Sequence, residues 1–140
     1  MSSYPLPGSS AIGNARGALA YRTVGAQSSS PLELVVMLYD GAIRFLQEAR
    51  DANERKDHWG RARNTSKAIA IVDELRNTLN VDEGQAIARE LDRIYDYMMA
   101  RLLDVTIKRD TSGLEEVQRL LSTVREGWAQ ASASASPPRP

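Results

Sequence analysis

Ser30–Phe45, SPLELVVMLYDGAIRF, is the stretch whose reading decides the fold. Ser30 can accept from a free backbone N–H of a first helical turn, Pro31 fits the first helical position where no N–H is needed, and Glu33 completes a capping box. At about 100° per residue, Leu32, Val35, Val36, Tyr39, Ala42, Ile43 and Leu46 gather on one side of that helix. Leu34, Leu38, Gly41 and Phe45 gather on a second side, roughly 100° round. A helix in a small bundle needs only one core stripe. The second stripe calls for a second neighbour within the fold or for a partner.

Working outward, the helix that opens here is expected to run from about Pro31 to Lys56, with Asp57–Gly60 as a short turn. A second helix is expected from about Arg61 to Leu79, striped by Ala62, Ile69, Val72 and Leu79 and widened by Ala68, Ile71 and Leu75. Asn80–Gly84 reads as the next turn, with Asp82 and Gln85 placed as a cap. The third helix, about Gln85 to Lys108, carries Ile87, Leu91, Ile94, Met98, Leu102 and Val105 as core, and a second strip of Tyr95, Met99, Leu103 and Ile107. Ser112 and Glu115 suggest a capping box for a fourth helix. Its narrow stripe of Leu114, Val117, Leu121, Val124 and Trp128 reads as an outer helix packed along one face. Short connections make antiparallel neighbours. The expected fold is all-α: an antiparallel four-helix bundle over residues 30–131, with a flexible N-terminal segment (1–29) and a disordered tail (132–140) ending in SPPRP. Residues 1–29 are rich in Ser, Gly and Pro, yet hold Leu19 and Tyr21. They are either a plain tail or one that docks those two side chains onto the body.

Composition narrows the chemistry. Without Cys there is no disulfide, thiolate site or Cys nucleophile. Eighteen basic residues balance eighteen acidic ones, so no overall field favours nucleic acid. No run of apolar residues is long enough to insert in a membrane, and the N-terminus lacks the pattern of a signal peptide. His58 is the single histidine, so a di-iron bundle site with two Glu-x-x-His motifs is excluded. Glu54 and His58 alone make a poor metal site, and His58 at a surface turn is no triad base. No Gly-rich phosphate loop stands between a strand and a helix. The expectation is a protein-binding module: no enzyme, no cofactor, no metal and no small-molecule substrate. Gly41 adds to it, because glycine inside a helix costs about 0.5–1 kcal/mol relative to Ala and a close approach there gives it a purpose.

Four stretches carry a family resemblance: AYRTVGAQSSSPLELVVMLYDGAIRFLQEA, SKAIAIVDELRNTLN, DEGQAIARELDRIYDYMMARLLDV and EEVQRLLSTVREGW. In that order and spacing the chain resembles the FliS family of flagellar secretion chaperones, over about Ala20 to Gln130. The resemblance implies a helical bundle in the cytosol that binds the disordered C-terminal region of flagellin, one to one. It implies that premature polymerisation is prevented and that the cargo is delivered to the export gate of the flagellar type III apparatus. It also implies an N-terminal cap over a cargo groove, with Tyr21 at the position of a family tyrosine and Leu19 beside it. Ala18 replaces a larger aliphatic of some relatives, and the leader before Gly17 is longer than the family's short starts. Taken with the second stripes, the resemblance nominates Leu34, Leu38, Gly41, Phe45, Ile71, Leu75, Tyr95, Met99 and Leu103 as groove residues. Leu38→Asp or Phe45→Asp is then expected to weaken cargo binding without unfolding the bundle. The competing reading is a regulatory or adaptor bundle that binds another flagellar protein, such as an anti-sigma factor or an export-gate component.

Overall fold

The computed structural model describes residues 31–79 and 86–135, with side chains described up to 130. Four helices make up this part: α1 Pro31–Glu54, α2 His58–Asn77, α3 Ala86–Ile107 and α4 Ser112–Ala135. Ser30, the 80–85 turn with its expected cap, and the Leu19–Tyr21 segment lie outside the described residues.

Each described turn is built from backbone chemistry. After α1, Lys56 adopts φ 61°, and the Asp57 N–H donates to Ala52 O at 2.8 Å while the Lys56 N–H donates to Asn53 O at 3.1 Å. This is the reverse turn that satisfies the last carbonyls of a helix. Asp57 then caps α2, its carboxylate accepting from Gly60 N–H at 2.9 Å. That cap starts α2 at His58, three residues earlier than the apolar stripe suggests. Glycine at position 60 leaves room for that cap: a Cβ there meets Asp57 Oδ2 at 2.3 Å, so the carboxylate would have to shift. After α3, Arg109 takes φ 58°, and Asp110 collects the groups that begin α4. Ser112 is the first helical residue and so does not stand at the cap position expected for a Ser112–Glu115 box; its Oγ donates to Asp110 Oδ1 at 2.6 Å.

The helices form a closed ring. α1 packs against α2 and α4, and α3 packs against α2 and α4. α1 and α4 run antiparallel, with Asp40 paired to Arg125 at 2.8 Å and Arg50 to Gln118 at 2.6 Å. α2 and α3 run antiparallel as well, with Arg76 bridging Asp92 (3.0 Å) and Asp96 (2.6 Å). The reading of the fourth helix as an outer one is therefore corrected: α4 closes the ring, with Leu114, Val117 and Leu121 fully buried. Its helix also passes the expected boundary at 131 and continues to Ala135, through residues that include good helix-forming alanines.

The core is one cluster drawn from all four helices, including Leu46, Val72, Leu75, Met98, Leu102 and Val117. Burying each such side chain contributes about 1.5–3 kcal/mol. At its centre lie two phenols. Tyr39 and Tyr95 are hydroxyl-to-hydroxyl partners, and Trp128 Nε1–H donates to Tyr39 Oη at 3.2 Å. A buried Tyr hydroxyl needs such a partner, and here three helices supply one another's.

Candidate functional site

The nine nominated groove residues divide by position. Leu38, Gly41, Ile71, Leu75 and Tyr95 are buried. Leu38 and Tyr95 are 1% exposed and Leu75 is 0% exposed, so these side chains form the interior and not an open surface. The reason is the ring: α1 and α2 each have two helical neighbours, and two neighbours use two stripes. The expectation that Leu38→Asp leaves the bundle folded is corrected on the same ground. Phe45 is half-buried, with the Arg44 guanidinium 5.3 Å and the Lys67 ammonium 5.4 Å from its ring centroid. Aliphatic stems and cationic heads over an aromatic face hold it in place.

The remaining nominees mark two surface features. Leu34 lines a cleft of about 310 Å³ at the end of the bundle where α1 starts and α2 and α4 finish. Pro31, Leu32, Val35, Thr78, Leu79 and Trp128 complete its walls, and Leu38, 1% exposed, touches it from the core side. Trp128 thus has two roles, one edge in this cleft and its indole N–H on the buried Tyr39 hydroxyl. Sequence reasoning placed Trp128 only in a core stripe. The signal that marks it is chemical: a large amphipathic ring late in an amphipathic helix needs an acceptor for its N–H.

The second feature is on α3. Met99 is half-buried, Leu103 is 46% exposed and Ile107 is 74% exposed. These residues step by four and share a helix face. Asp96 lies eleven residues before Ile107, on the same flank, and it is bonded to Arg76 of α2. The strip therefore runs along the side of α3 turned toward α2. Of the second stripes read from the sequence, this is the one left in solvent, and with Tyr95 drawn inward it begins at Met99.

The chemistry of the rest is structural. Arg101 is the hub of the α3–α4 turn: Nε donates to Glu116 Oε1 at 2.5 Å, Nη1 to Asp110 Oδ2 at 3.0 Å and Nη2 to Ser112 Oγ at 3.3 Å. The Ser112 hydrogen bond, with Arg101, holds the Asp110 carboxyl below its ordinary value. The Tyr97 hydroxyl and then Arg101 do the same for Glu116. Burial pushes the Tyr39 and Tyr95 phenols up. His58 is exposed, its Nδ1 3.3 Å from Arg61 Nη1. Among the described residues no group of three or more His, Cys, Asp or Glu side chains is placed to hold a metal ion. No described helix is long and apolar enough to cross a membrane.

Comparison with known proteins follows the same lines. The family described as "Flagellar protein FliS" matches residues 14–135. The flagellar secretion chaperone FliS of Salmonella typhimurium is 40% identical over 127 residues, covering 87% of this chain and 94% of that protein. FliSB of Pseudomonas aeruginosa, also named a flagellar secretion chaperone, is 39% identical over 100 residues, 71% of this chain and 79% of its own. The Bacillus subtilis FliS chaperone is 36% identical over 112 residues, 80% of this chain and 83% of its own. A match over nearly the whole bundle, with its surface strip and cleft carried on the four helices it covers, places the chain: it belongs to the FliS family of flagellar secretion chaperones, a family of chaperones and not of enzymes.

Proposed function

We propose that this chain is the cytosolic export chaperone of a flagellin. It holds the disordered C-terminal region of that flagellin one to one, keeps it from polymerising, and hands it to the gate of the flagellar type III export apparatus. Family membership supports the reading, and the observation that carries it in this molecule is the exposed strip Met99–Leu103–Ile107. An amphipathic segment laid along α3 covers side chains that the bundle itself leaves in water. Ordering a disordered partner costs on the order of 2–5 kcal/mol and such couplings bury roughly 1,000–3,000 Å². A chain draped over a strip and a shallow cleft meets that requirement better than one deep pocket. Release then depends on binding equilibria, without nucleotide.

The test is a calorimetric titration of the full chain with the C-terminal segment of flagellin from the same organism. A saturable one-to-one isotherm with a negative heat-capacity change is expected. Absence of binding while circular dichroism shows a folded bundle overturns the reading. The anti-sigma factor and export-gate alternatives are titrated under the same conditions.

A further inference from the structure

Trp59 is 81% exposed, the most open of the large apolar side chains among the described residues. It stands in the first turn of α2, at the end of the bundle that also carries the α3–α4 turn. The helix start does not need it, because the cap is made by Asp57 and Gly60. Tryptophan is the residue type most enriched at the energetic centres of protein interfaces.

At this end the exposed cations without an ion pair outnumber the exposed carboxylates without one. Lys56, Arg63 and Arg109 are exposed and have no ion pair among the described residues. The carboxylates of this end are mostly engaged. Asp57 caps Gly60 and lies 3.8 Å from Arg55, Asp104 lies 3.7 Å from Lys108, and Asp110 is bonded to Arg101 and Ser112. Glu54 and Asp51, both exposed in the last turn of α1 and without an ion pair among the described residues, stand against the three unpaired cations. The dipoles of α1 and α3 account for a cation after each helix, at Lys56 and Arg109. They account for neither Arg63 nor the open indole.

We infer that this end of the bundle, which the α3 strip reaches at Ile107, is a second docking surface, and that it takes an acidic peptide segment of a partner protein. The partner's carboxylates meet Lys56, Arg63 and Arg109, and an apolar residue among them covers Trp59. Lipid-surface recognition rests on clusters of about four to eight cations, and duplex binding on roughly six to ten phosphate contacts. Three cations and one indole suit a short acidic peptide instead. This inference is independent of the flagellin reading.

The experiment uses the full chain and a synthetic peptide with two leucines set between runs of glutamate. The control peptide replaces every glutamate by glutamine. Binding is followed by the Trp59 indole N–H resonance, with Trp59→Phe assigning the signal, and by calorimetric titration of the peptide in every variant, Trp59→Ala included. The glutamate peptide is expected to shift that resonance saturably and to weaken with salt, and the glutamine peptide to leave it in place. Trp59→Ala, and separately the charge reversals Lys56→Glu with Arg109→Glu, are expected to weaken binding at least about tenfold. All of these positions are exposed, so the fold is retained, and circular dichroism checks it. Flagellin affinity is expected to be unchanged in Trp59→Ala. No shift with the glutamate peptide, equal binding of the two peptides, or a shift with phosphatidylglycerol vesicles and none with peptide overturns the inference. So does a parallel loss of flagellin affinity, which assigns Trp59 to the cargo surface.

Discussion

Tyr39 and Tyr95 meet hydroxyl to hydroxyl across the diagonal of the bundle, their ring centroids 6.4 Å apart and their planes tilted by 43°. They belong to α1 and α3, one of the two diagonal pairs of helices that do not pack along their lengths. Trp128 of α4 adds its indole N–H to the same oxygen of Tyr39. One hydroxyl therefore ties three helices, and it is buried, where an unmade hydrogen bond is costly.

Removing that hydroxyl strands two partners. Tyr39→Phe is expected to lower stability by about 1–3 kcal/mol in urea unfolding, because Tyr95 and Trp128 both lose an acceptor or donor. Tyr95→Phe strands only Tyr39, which keeps Trp128, and should cost less. The double variant should cost clearly less than the two single losses added together. Strict additivity would show that the hydroxyls do not act as a pair.

The same two phenols set an alkaline limit. Burial raises both above their ordinary value near 10. A folded value raised above the unfolded one gives stability that is complete below about pH 10 and is lost as pH rises beyond it. The urea midpoint should fall more steeply above about pH 10 in the wild type than in Tyr39→Phe/Tyr95→Phe. Parallel curves would remove the phenols from the alkaline transition.

Core and surface nominees should now separate cleanly. Leu38 is buried at 1% exposure, so Leu38→Asp places a carboxylate in the core at a cost on the order of 4 kcal/mol. That is much of the stability of a small domain, and loss of helical signal or a collapsed urea midpoint is expected. Leu103→Asp, at a site 46% exposed, should change stability by no more than about 0.5 kcal/mol while weakening cargo binding. Cargo affinity unchanged in a folded Leu103→Asp protein would take the α3 strip out of the binding surface.

The Arg101 hub predicts an acid dependence. Asp110 and Glu116 titrate below their ordinary range, Asp110 through Ser112 and Arg101, Glu116 through Tyr97 and Arg101. Lowered folded values give stability that is present above the unfolded value near pH 4 and disappears as pH falls through the folded one. Arg101→Ala should therefore lower stability at neutral pH and flatten its decline below about pH 4. Urea midpoints across that range decide it, and an unaltered slope would assign the decline to other carboxylates.

Gly60→Ala tests the α1–α2 turn. The added Cβ meets Asp57 Oδ2 at 2.3 Å and Ala52 Cβ at 3.2 Å, so the Asp57 cap must move. A loss of about 1 kcal/mol is expected, the usual worth of an N-cap. In an Asp57→Ala background the clash with the carboxylate is gone, and Gly60→Ala should become nearly neutral. An equal penalty in both backgrounds would mean that Ala52, and not the cap, fills the space.

How much of this was legible in the chain depends on the range of the interaction. Helix existence is a local property. The spacing of Tyr39, Ala42 and Leu46 on α1 and of Leu91, Met98, Leu102 and Val105 on α3 is visible as periodicity, and those residues are the core. Gly60 and Asp57 were visible as a turn, although the cap moved the start of α2 to His58. The partition of the second stripes was not legible, because it depends on which helices become neighbours. Leu38 and Leu75 read from the sequence as groove and proved to be interior, since α1 and α2 are flanked on two sides. Leu103 read the same way and stayed in solvent.

By itself, the sequence determined four amphipathic helices, the antiparallel sense that short turns impose, and the resemblance that pointed to the chaperone family. Those features rest on contacts within a few residues of one another, or on the order of motifs along the chain. Only the tertiary structure decided that α4 closes the ring, that Tyr39, Tyr95 and Trp128 share one polar knot, and that Met99, Leu103 and Ile107 form the strip left open. The physical reason is that burial belongs to pairs of helices. A stripe becomes core or surface only when another element arrives to cover it, and no local pattern records that arrival.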